Sequence, residues 1–195
     1  MDLNGKKVIL ASGSPRRREL LAGLDVPFEV DTRNSFDESF AADTPHEEVP
    51  ALMSKGKSHG FWRPLEPGEI LVTSDTMVLL DKLIMGKPHS RSEAVEMLRK
   101  LSGRTHEVIT AVTVRDISHE QTVEDVTKVT FRHLTDKEID YYLDKYKPFD
   151  KAGSYGVQEW IGYAACTGME GSFYNVMGFP VCKVYELLKT FAQYD

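Results

Sequence analysis

The sequence predicts a mixed α/β fold in which one mixed sheet is flanked by helices. Apolar strand patterns alternate along the chain with segments of helical periodicity, as is typical of α/β proteins. In the middle of the chain, two alternating segments at about 105–115 and 122–133 predict a hairpin, so a purely parallel sheet is not expected. The 195 residues, 41% of them hydrophobic, suffice for one globular unit with a sizeable core.

Turn residues and helix caps separate the predicted elements. Ser14 is expected to cap a helix that has Pro15 at its first position. Thr135 and Glu138 have the spacing of a capping box. In chain order we predict a strand at 7–11, a helix at 15–24, a strand at 27–30, a helix at 46–63, strands at 69–73 and 77–80, a helix from 90 to about 101, the two hairpin strands, a helix from 135 to Pro148, strands near 160–167 and a helix from Pro180.

Composition and charge exclude several classes of protein. The net charge of −6 and the absence of a recognisable nucleic-acid module argue against nucleic-acid binding. Cys166 and Cys182 do not form a CxxC motif, so neither a disulfide framework nor a structural zinc site is expected. No signal-peptide pattern and no apolar stretch of membrane-spanning length occur. These observations predict a soluble, cytoplasmic protein without a membrane partner.

A basic turn follows the first predicted strand. Ser12-Gly13-Ser14-Pro15 leads into Arg16, Arg17 and Arg18, which crowd the first turn of a helix where the macrodipole already presents positive charge. This placement is unfavourable for an isolated helix. It becomes favourable if a polyanion such as a phosphate chain binds at the helix N-terminus. The alternative is a solvated basic turn.

Asp75 is the most unusual carboxylate in the sequence. It interrupts the apolar stretch from Ile70 to Leu80, where a lone carboxylate is costly unless it is hydrogen-bonded, paired or bound to a cation. The alternative is a turn between two strands, since Ser-Asp-Thr is also common in turns. Asp37 and Glu38 form an acidic pair in a polar loop, and one or two such carboxylates together with substrate phosphates can hold Mg²⁺.

Two lysines occupy loops that a ligand could approach. Lys87 lies in a rigid Gly-Lys-Pro turn, and Lys151 lies on a glycine-bearing loop whose backbone could contact a ligand. Each lysine taken alone is more often a surface residue. Gly56-Lys57-Ser58 resembles the end of a P-loop, but the required earlier glycine is Ala51 and no apolar strand precedes it. Neither a nucleophile elbow nor a zinc-binding helix motif is present.

Taken together, the motifs resemble the Maf family of nucleoside triphosphate pyrophosphatases from about Val8 to Leu188. The resemblance rests on the order and spacing of several short motifs. They are Ser12-x-Ser14-Pro15-Arg16-Arg17, Glu38, Lys57, Ser74-Asp75-Thr76, Gly86-Lys87-Pro88, Leu101-Ser102-Gly103-x-x-His106-x-Val108-x-Thr110, Asp150-Lys151-Ala152-Gly153-x-Tyr155-Gly156-x-Gln158 and Gly171-Ser172-x-x-Asn175-Val176-x-Gly178-x-Pro180.

The resemblance implies a fold and an activity. The fold would be a single Maf-like domain over residues 1–195, elongated, with two lobes and a central cleft, similar to inosine triphosphatase-like enzymes. The activity would be hydrolysis of a nucleoside triphosphate to the monophosphate and pyrophosphate with a divalent cation, Mg²⁺, Mn²⁺ or Co²⁺. The family is often homodimeric, so a homodimer is a further expectation.

The resemblance also implies roles for individual residues. Asp75 would be the catalytic proton acceptor and, with Glu38, a metal ligand. Asp37 stays an alternative to Glu38. The family's usual Leu-Ala-x-x-Lys-Ala pattern appears here as 53–58, which leaves Lys55 as an alternative to Lys57. The residues expected to bind substrate are Ser12, Ser14, Arg16, Arg17, Lys57, Thr76, Lys87, Lys151 and Gln158.

Three of these positions indicate the substrate. Arg16, Thr76 and Gln158 match the branch that acts on dTTP and UTP, whereas the 7-methyl-GTP branch tends to have an aromatic residue, glutamine and glutamate there. A glutamine side chain can both donate to and accept from a pyrimidine edge. Three alternatives stay open: a purine-directed pyrophosphatase acting on ITP or 7-methyl-GTP, a nucleotide-binding regulator of cell division, and a phosphate-site relic with a purely structural role.

Overall fold

A mixed sheet forms the centre of the fold in the computed structural model, which describes residues 3–193. Its seven strands within that range are β1 (Lys7–Leu10), β2 (Phe28–Val30), β3 (Glu69–Leu80), β4 (Leu83–Met85), β5 (Thr105–Arg115), β6 (Glu120–Phe131) and β7 (Cys166–Glu170). The order is β2-β1-β3-β5-β6-β7, and β4 pairs with β3. β1 is parallel to β2 and β3, whereas β4 and β7 are antiparallel to β3 and β6. The predicted mixed α/β fold is confirmed.

The helices flank this sheet, and several begin at the caps that the sequence predicts. They are α1 (Pro15–Ala22), α2 (Val49–His59), α3 (Arg91–Leu101), α4 (Asp136–Tyr146), α5 (Trp160–Ala165), α6 (Phe173–Val176) and α7 (Val181–Gln193), with 3₁₀ turns at His46–Glu48 and Ala152–Ser154. The Ser14 hydroxyl accepts a hydrogen bond from Arg17 N. Thr135 and Glu138 form the full capping box. Within 3–193 no helix has both the length and the apolar character needed to cross a bilayer.

Three predictions from local patterns are wrong. Residues 160–165, predicted as strand, form α5, and β7 begins only at Cys166. A short apolar run does not distinguish a strand from a helix by periodicity alone. The helix predicted at 46–63 is shorter, because α2 ends at His59. Finally, no turn interrupts the segment around Asp75: β3 runs without a break from Glu69 to Leu80.

The described residues divide into two compact units. The first comprises the residues up to Asp75, those of 110–125 and those from Gly178 onward, and the second comprises 76–109 and 126–177. In the first unit, Ile9, Phe61, Leu65 and Leu71 form one buried apolar cluster. The expectation of a single domain over 1–195 stays a prediction.

In the second unit, three buried rings pack edge to face. His106, Phe131 and Tyr155 have ring centroids between 4.9 and 5.4 Å apart. The Nε2 atom of His106 lies 2.6 Å from the hydroxyl oxygen of Tyr155. Burial lowers the pKa of His106 to about 4, because the charged imidazolium loses its hydration there. His106 is therefore neutral in the folded protein at physiological pH.

The buried His106 makes stability depend on pH in a defined range. The unfolded chain protonates this side chain below its ordinary pKa of 6.5, whereas the folded protein does so only near 4. We expect the free energy of unfolding to decrease as the pH falls from about 6.5 to about 4. At 1.36 kcal/mol per pKa unit the loss from this group is about 3 kcal/mol.

Urea unfolding across this pH range measures the effect. His106→Gln should show a flatter pH dependence than the wild type, since Gln does not titrate. The same replacement at the exposed His89 is the control for the loss of a histidine outside the buried cluster. Equal slopes for the wild type and His106→Gln would contradict the prediction.

Candidate active site

Asp75 lies at the middle of β3 and ends the first unit. Its side chain is only 19% exposed, and its Oδ1 atom lies 2.7 Å from the Nζ atom of Lys57. The preceding strand residues from Glu69 to Ser74 are buried. A carboxylate in such surroundings needs a charged or hydrogen-bonded partner, and Lys57 provides it.

Lys57 joins two carboxylates at the last turn of α2. Its Nζ atom lies 3.1 Å from Oε2 of Glu38 as well as 2.7 Å from Asp75. Lys55 is exposed on the same helix. Because residues two positions apart do not share a helix face, only one of the two lysines can point to Asp75. The geometry therefore favours Lys57 over Lys55, and Glu38, rather than its neighbour Asp37, is the loop acid that contacts it.

Arg17 attaches the start of α1 to β3. Its Nε atom donates to the Gly178 carbonyl at 2.9 Å, and its Nη1 atom donates to the Ser74 carbonyl at 2.9 Å and to the Ser12 hydroxyl at 3.4 Å. Burial lowers the pKa of Arg17 to about 10, and the Asp75 carboxylate partly opposes this shift. The guanidinium therefore stays positively charged at neutral pH.

The basic turn is thus not simply solvated. Arg17 is half-buried and bound to internal carbonyl groups, whereas Arg18 is exposed. Arg16 is half-buried and its charge contributes to the lowered pKa of Arg17. Two positive charges therefore lie near each other at this helix start, which favours an anionic ligand.

The carboxylates of Glu38 and Asp75 fit a hard divalent cation that takes most of its ligands from water and substrate phosphates. Within residues 3–193, no cluster of three or more His, Cys, Asp or Glu side chains could hold a metal. Glu38 and Asp75 do supply two carboxylates that share one positive charge, that of Lys57. Mg²⁺ commonly binds one or two protein carboxylates and completes its shell with water and substrate phosphates. The two carboxylates therefore fit such an ion only together with a phosphate ligand.

The other predicted site residues belong to the second unit. Thr76 is half-buried on β3, and Lys87 is exposed just after β4. The side chain of Lys151 is 10% exposed, and its Nζ atom lies 2.7 Å from Asp150 and 3.2 Å from Glu159. Lys151 is therefore already neutralised by two carboxylates.

Gln158 lies in the loop that Lys151 begins. Its buried Oε1 atom accepts no hydrogen bond within the described part of the chain. The loop is fixed by Tyr142, whose hydroxyl donates to Glu159 and accepts from Gly156 N at 3.0 Å. A buried carbonyl oxygen without a donor is unfavourable.

Some contacts in this region have no signal in the sequence, even where the residue itself belongs to a motif, as Gly178 does. The sequence places Tyr142 only on the apolar face of a helix, and its hydroxyl contacts depend on a segment 14–17 residues away. The Gly178 carbonyl that holds Arg17 lies 161 residues from it in the chain. Such contacts depend on tertiary structure, which spacing along the chain does not reveal.

Comparison with known proteins identifies the family. The chain matches the Maf-like protein family over residues 7–191. It is 47% identical to a dTTP/UTP pyrophosphatase of Phocaeicola vulgatus over 188 residues, covering 96% of this chain and 97% of that protein. It is 46% identical to a protein of the same name from Porphyromonas gingivalis over 194 residues, covering 98% of both.

A solved structure of a HAM1 protein from Coxiella burnetii shares 13% identity and a TM-score of 0.42, covering 65% of this chain and 73% of that one. This likeness is too low to support an argument. The sequence match alone, which extends over nearly the whole length, is decisive: the chain belongs to the Maf-like protein family.

Proposed function

We propose that this protein hydrolyses dTTP and UTP to the nucleoside monophosphate and pyrophosphate. The observation that carries the proposal is the pair of ion pairs that Lys57 makes with Asp75 and with Glu38, in a chain about 46–47% identical to proteins named dTTP/UTP pyrophosphatase. Breaking a phosphoanhydride bond requires charge neutralisation and positioning of water more than covalent help from the protein. Carboxylates and cations at one place can supply both.

In the proposed reaction, water attacks the α-phosphorus. The bond between the α-phosphorus and the oxygen that bridges it to the β-phosphorus breaks, and pyrophosphate leaves. Asp75 accepts the proton of the attacking water. Since its Oδ1 atom is held by Lys57, we assign proton uptake to Oδ2. A divalent cation bound by Glu38, Asp75 and the phosphates would supply positive charge and promote ionisation of the water.

The cationic residues have separate tasks in this proposal. Lys57 orients the Asp75 carboxylate and contributes charge to the phosphate site. Arg16 and Arg17, with Ser12 and Ser14 at the start of α1, would bind the phosphate chain. The assignments of Thr76, Lys87, Lys151 and Gln158 to substrate binding stay predictions, as do a homodimer and a cytoplasmic location.

Substrate preference follows from Arg16, Thr76 and Gln158. The Oε1 atom of Gln158 accepts no hydrogen bond within residues 3–193, and the pyrimidine ring of dTTP or UTP offers one N–H donor. An amide also offers donors to the neighbouring carbonyl groups of such a base. This supports a pyrimidine substrate and does not favour a cationic 7-methylated purine.

A nucleotide panel tests the activity. We expect dTTP and UTP to be hydrolysed faster than ITP and 7-methyl-GTP with Mg²⁺, Mn²⁺ or Co²⁺, releasing pyrophosphate and no orthophosphate, and we expect EDTA to abolish turnover. Chromatography of the products identifies the bond that is broken. Faster turnover of ITP or 7-methyl-GTP would favour the purine alternative. Tight nucleotide binding without pyrophosphate release in any metal would favour a regulatory protein.

Asp75→Asn separates catalysis from binding. The amide cannot take up the proton, so we expect kcat on dTTP to fall about 10²–10⁴-fold while nucleotide binding, measured by calorimetry, persists. Asp37→Asn is the matched control, because Asp37 is exposed and Glu38 is the acid at Lys57. Thermal unfolding of both variants confirms that they are folded. Retained activity in Asp75→Asn would contradict the assignment.

A further inference from the structure

Glu38 lies on an exposed loop, yet it is held close to Lys57. Its side chain is 63% exposed. An ion pair that is this exposed to water contributes only about 0–1 kcal/mol to stability. Such a pair is too weak to order a loop by itself, since fixing the backbone of each residue costs about 1–2 kcal/mol. Other contacts must therefore hold this loop.

The side chain of Asn34 connects the loop to α2. Its Nδ2 atom donates to the Lys57 carbonyl at 2.6 Å, and its Oδ1 atom accepts from Phe36 N at 2.8 Å. One amide group thus bonds both to the helix turn that bears Lys57 and to the segment that leads to Glu38. The carbonyl of Lys57 is one of those that a helix end leaves without an intrahelical partner.

The backbone of the same segment adds a second attachment. Ser35 N donates to the Gly60 carbonyl at 2.9 Å, and the Ser35 hydroxyl donates to the same oxygen at 3.3 Å. Asn34 and Phe61 also pair as an isolated antiparallel bridge. We call the segment of residues 34–36 the clasp.

Gly56 in α2 and Gly60, the residue directly after α2, leave room for the clasp. A Cβ atom at Gly56 would come within 2.6 Å of the end of the Phe36 ring, and one at Gly60 would come within 2.6 Å of Oδ1 of Asn34 and Cβ of Phe36. Gly60 has a φ of −80°, and Gly56 lies inside the helix, so neither needs glycine for its backbone conformation. What they provide is space.

The end of α2 is held independently of the clasp. Arg115 donates to the Ser58 carbonyl at 2.7 Å and to the Ser58 hydroxyl at 3.0 Å. Loss of the clasp would therefore release the loop while leaving the helix and Lys57 in place.

From these contacts we propose that Asn34 and Phe36, seated on Gly56 and Gly60, are positioning residues that hold the Glu38 carboxylate at the site of Lys57 and Asp75. The proposal rests on the proposed function for its catalytic consequence. Residues that orient a ligating carboxylate typically change metal affinity or activity about 10–100-fold when they are replaced. The clasp thus makes an exposed loop acid into a fixed ligand.

Gly56→Ala is the decisive variant. Alanine is a better helix former than glycine, so if Gly56 had no role in seating Phe36, this variant would have unchanged or greater stability and full activity. The proposal predicts that the new methyl group displaces Phe36. We expect kcat/KM on dTTP to fall about 10–100-fold, with a higher Mg²⁺ concentration needed for half-maximal rate.

Hydrogen exchange provides a readout that needs neither metal nor nucleotide. The amide groups of Ser35 and Phe36 should exchange faster in Gly56→Ala and in Asn34→Ala than in the wild type. Because Asn34 is exposed, Asn34→Ala tests the clasp even if Gly56→Ala does not fold. In the double variant Gly56→Ala/Phe36→Leu, the leucine side chain lacks the atoms at the end of the phenylalanine ring. This variant should recover part of the activity and part of the amide protection.

Lys55→Ala is the matched control, since it adds alanine to the same helix at an exposed position and should change neither activity nor exchange. Wild-type exchange and wild-type turnover in both Gly56→Ala and Asn34→Ala would overturn the proposal. If the wild type itself does not hydrolyse dTTP but the variants lose amide protection, the clasp stands and the proposed activity fails.

Discussion

The charge of Asp75 inside β3 is the constraint on which the first unit depends. A carboxylate among buried strand residues is unfavourable without a counterion, and the cation must reach the strand from another element. Lys57, in the last turn of α2, provides this cation: its Nζ atom lies 2.7 Å from Oδ1 of Asp75. Arg17 binds the Ser74 carbonyl one residue earlier in β3. The start of α1 and the end of α2 are therefore both fixed by polar contacts to one position of the sheet, and the loop of Glu38 is attached to the end of α2.

At this site one lysine is shared by two carboxylates. Lys57 lies between Asp75 and Glu38, so neither carboxylate is left without a cation. A metal-bound triphosphate carries both signs of charge: its phosphates can bind Lys57 alongside Asp75, and its cation can bind the carboxylates. These added partners compensate the desolvation of each charged group. It also explains how a chain with a net charge of −6 could bind an anionic substrate, since the relevant field is local.

The sequence predicts the elements better than it predicts their partners. The capping box of Thr135 and Glu138, the pairing of the consecutive strands β5 and β6 and the final helix follow from local patterns, and they are confirmed. The alternative of a turn at Ser-Asp-Thr is excluded, because β3 runs unbroken through these residues and tertiary context outweighs local turn preference. Asp75 itself stands out in the sequence because it is a lone charge in an apolar run. Asn34 has no comparable signal, since its role depends on a carbonyl 23 residues away.

The three charged groups at this site differ in how rigidly the fold holds them. Asp75 is fixed by a strand in the sheet and Lys57 by a helix, whereas Glu38 depends on a loop. A rigid strand or helix positions a side chain more accurately than a loop does, so the loop needs contacts of its own, and these require two glycines in or next to α2. Glycine inside a helix is less favourable than alanine by about 1 kcal/mol. The helix is therefore less stable than its length would allow, and the gain is a close approach of residues 34–36 that brings a third charge to the site.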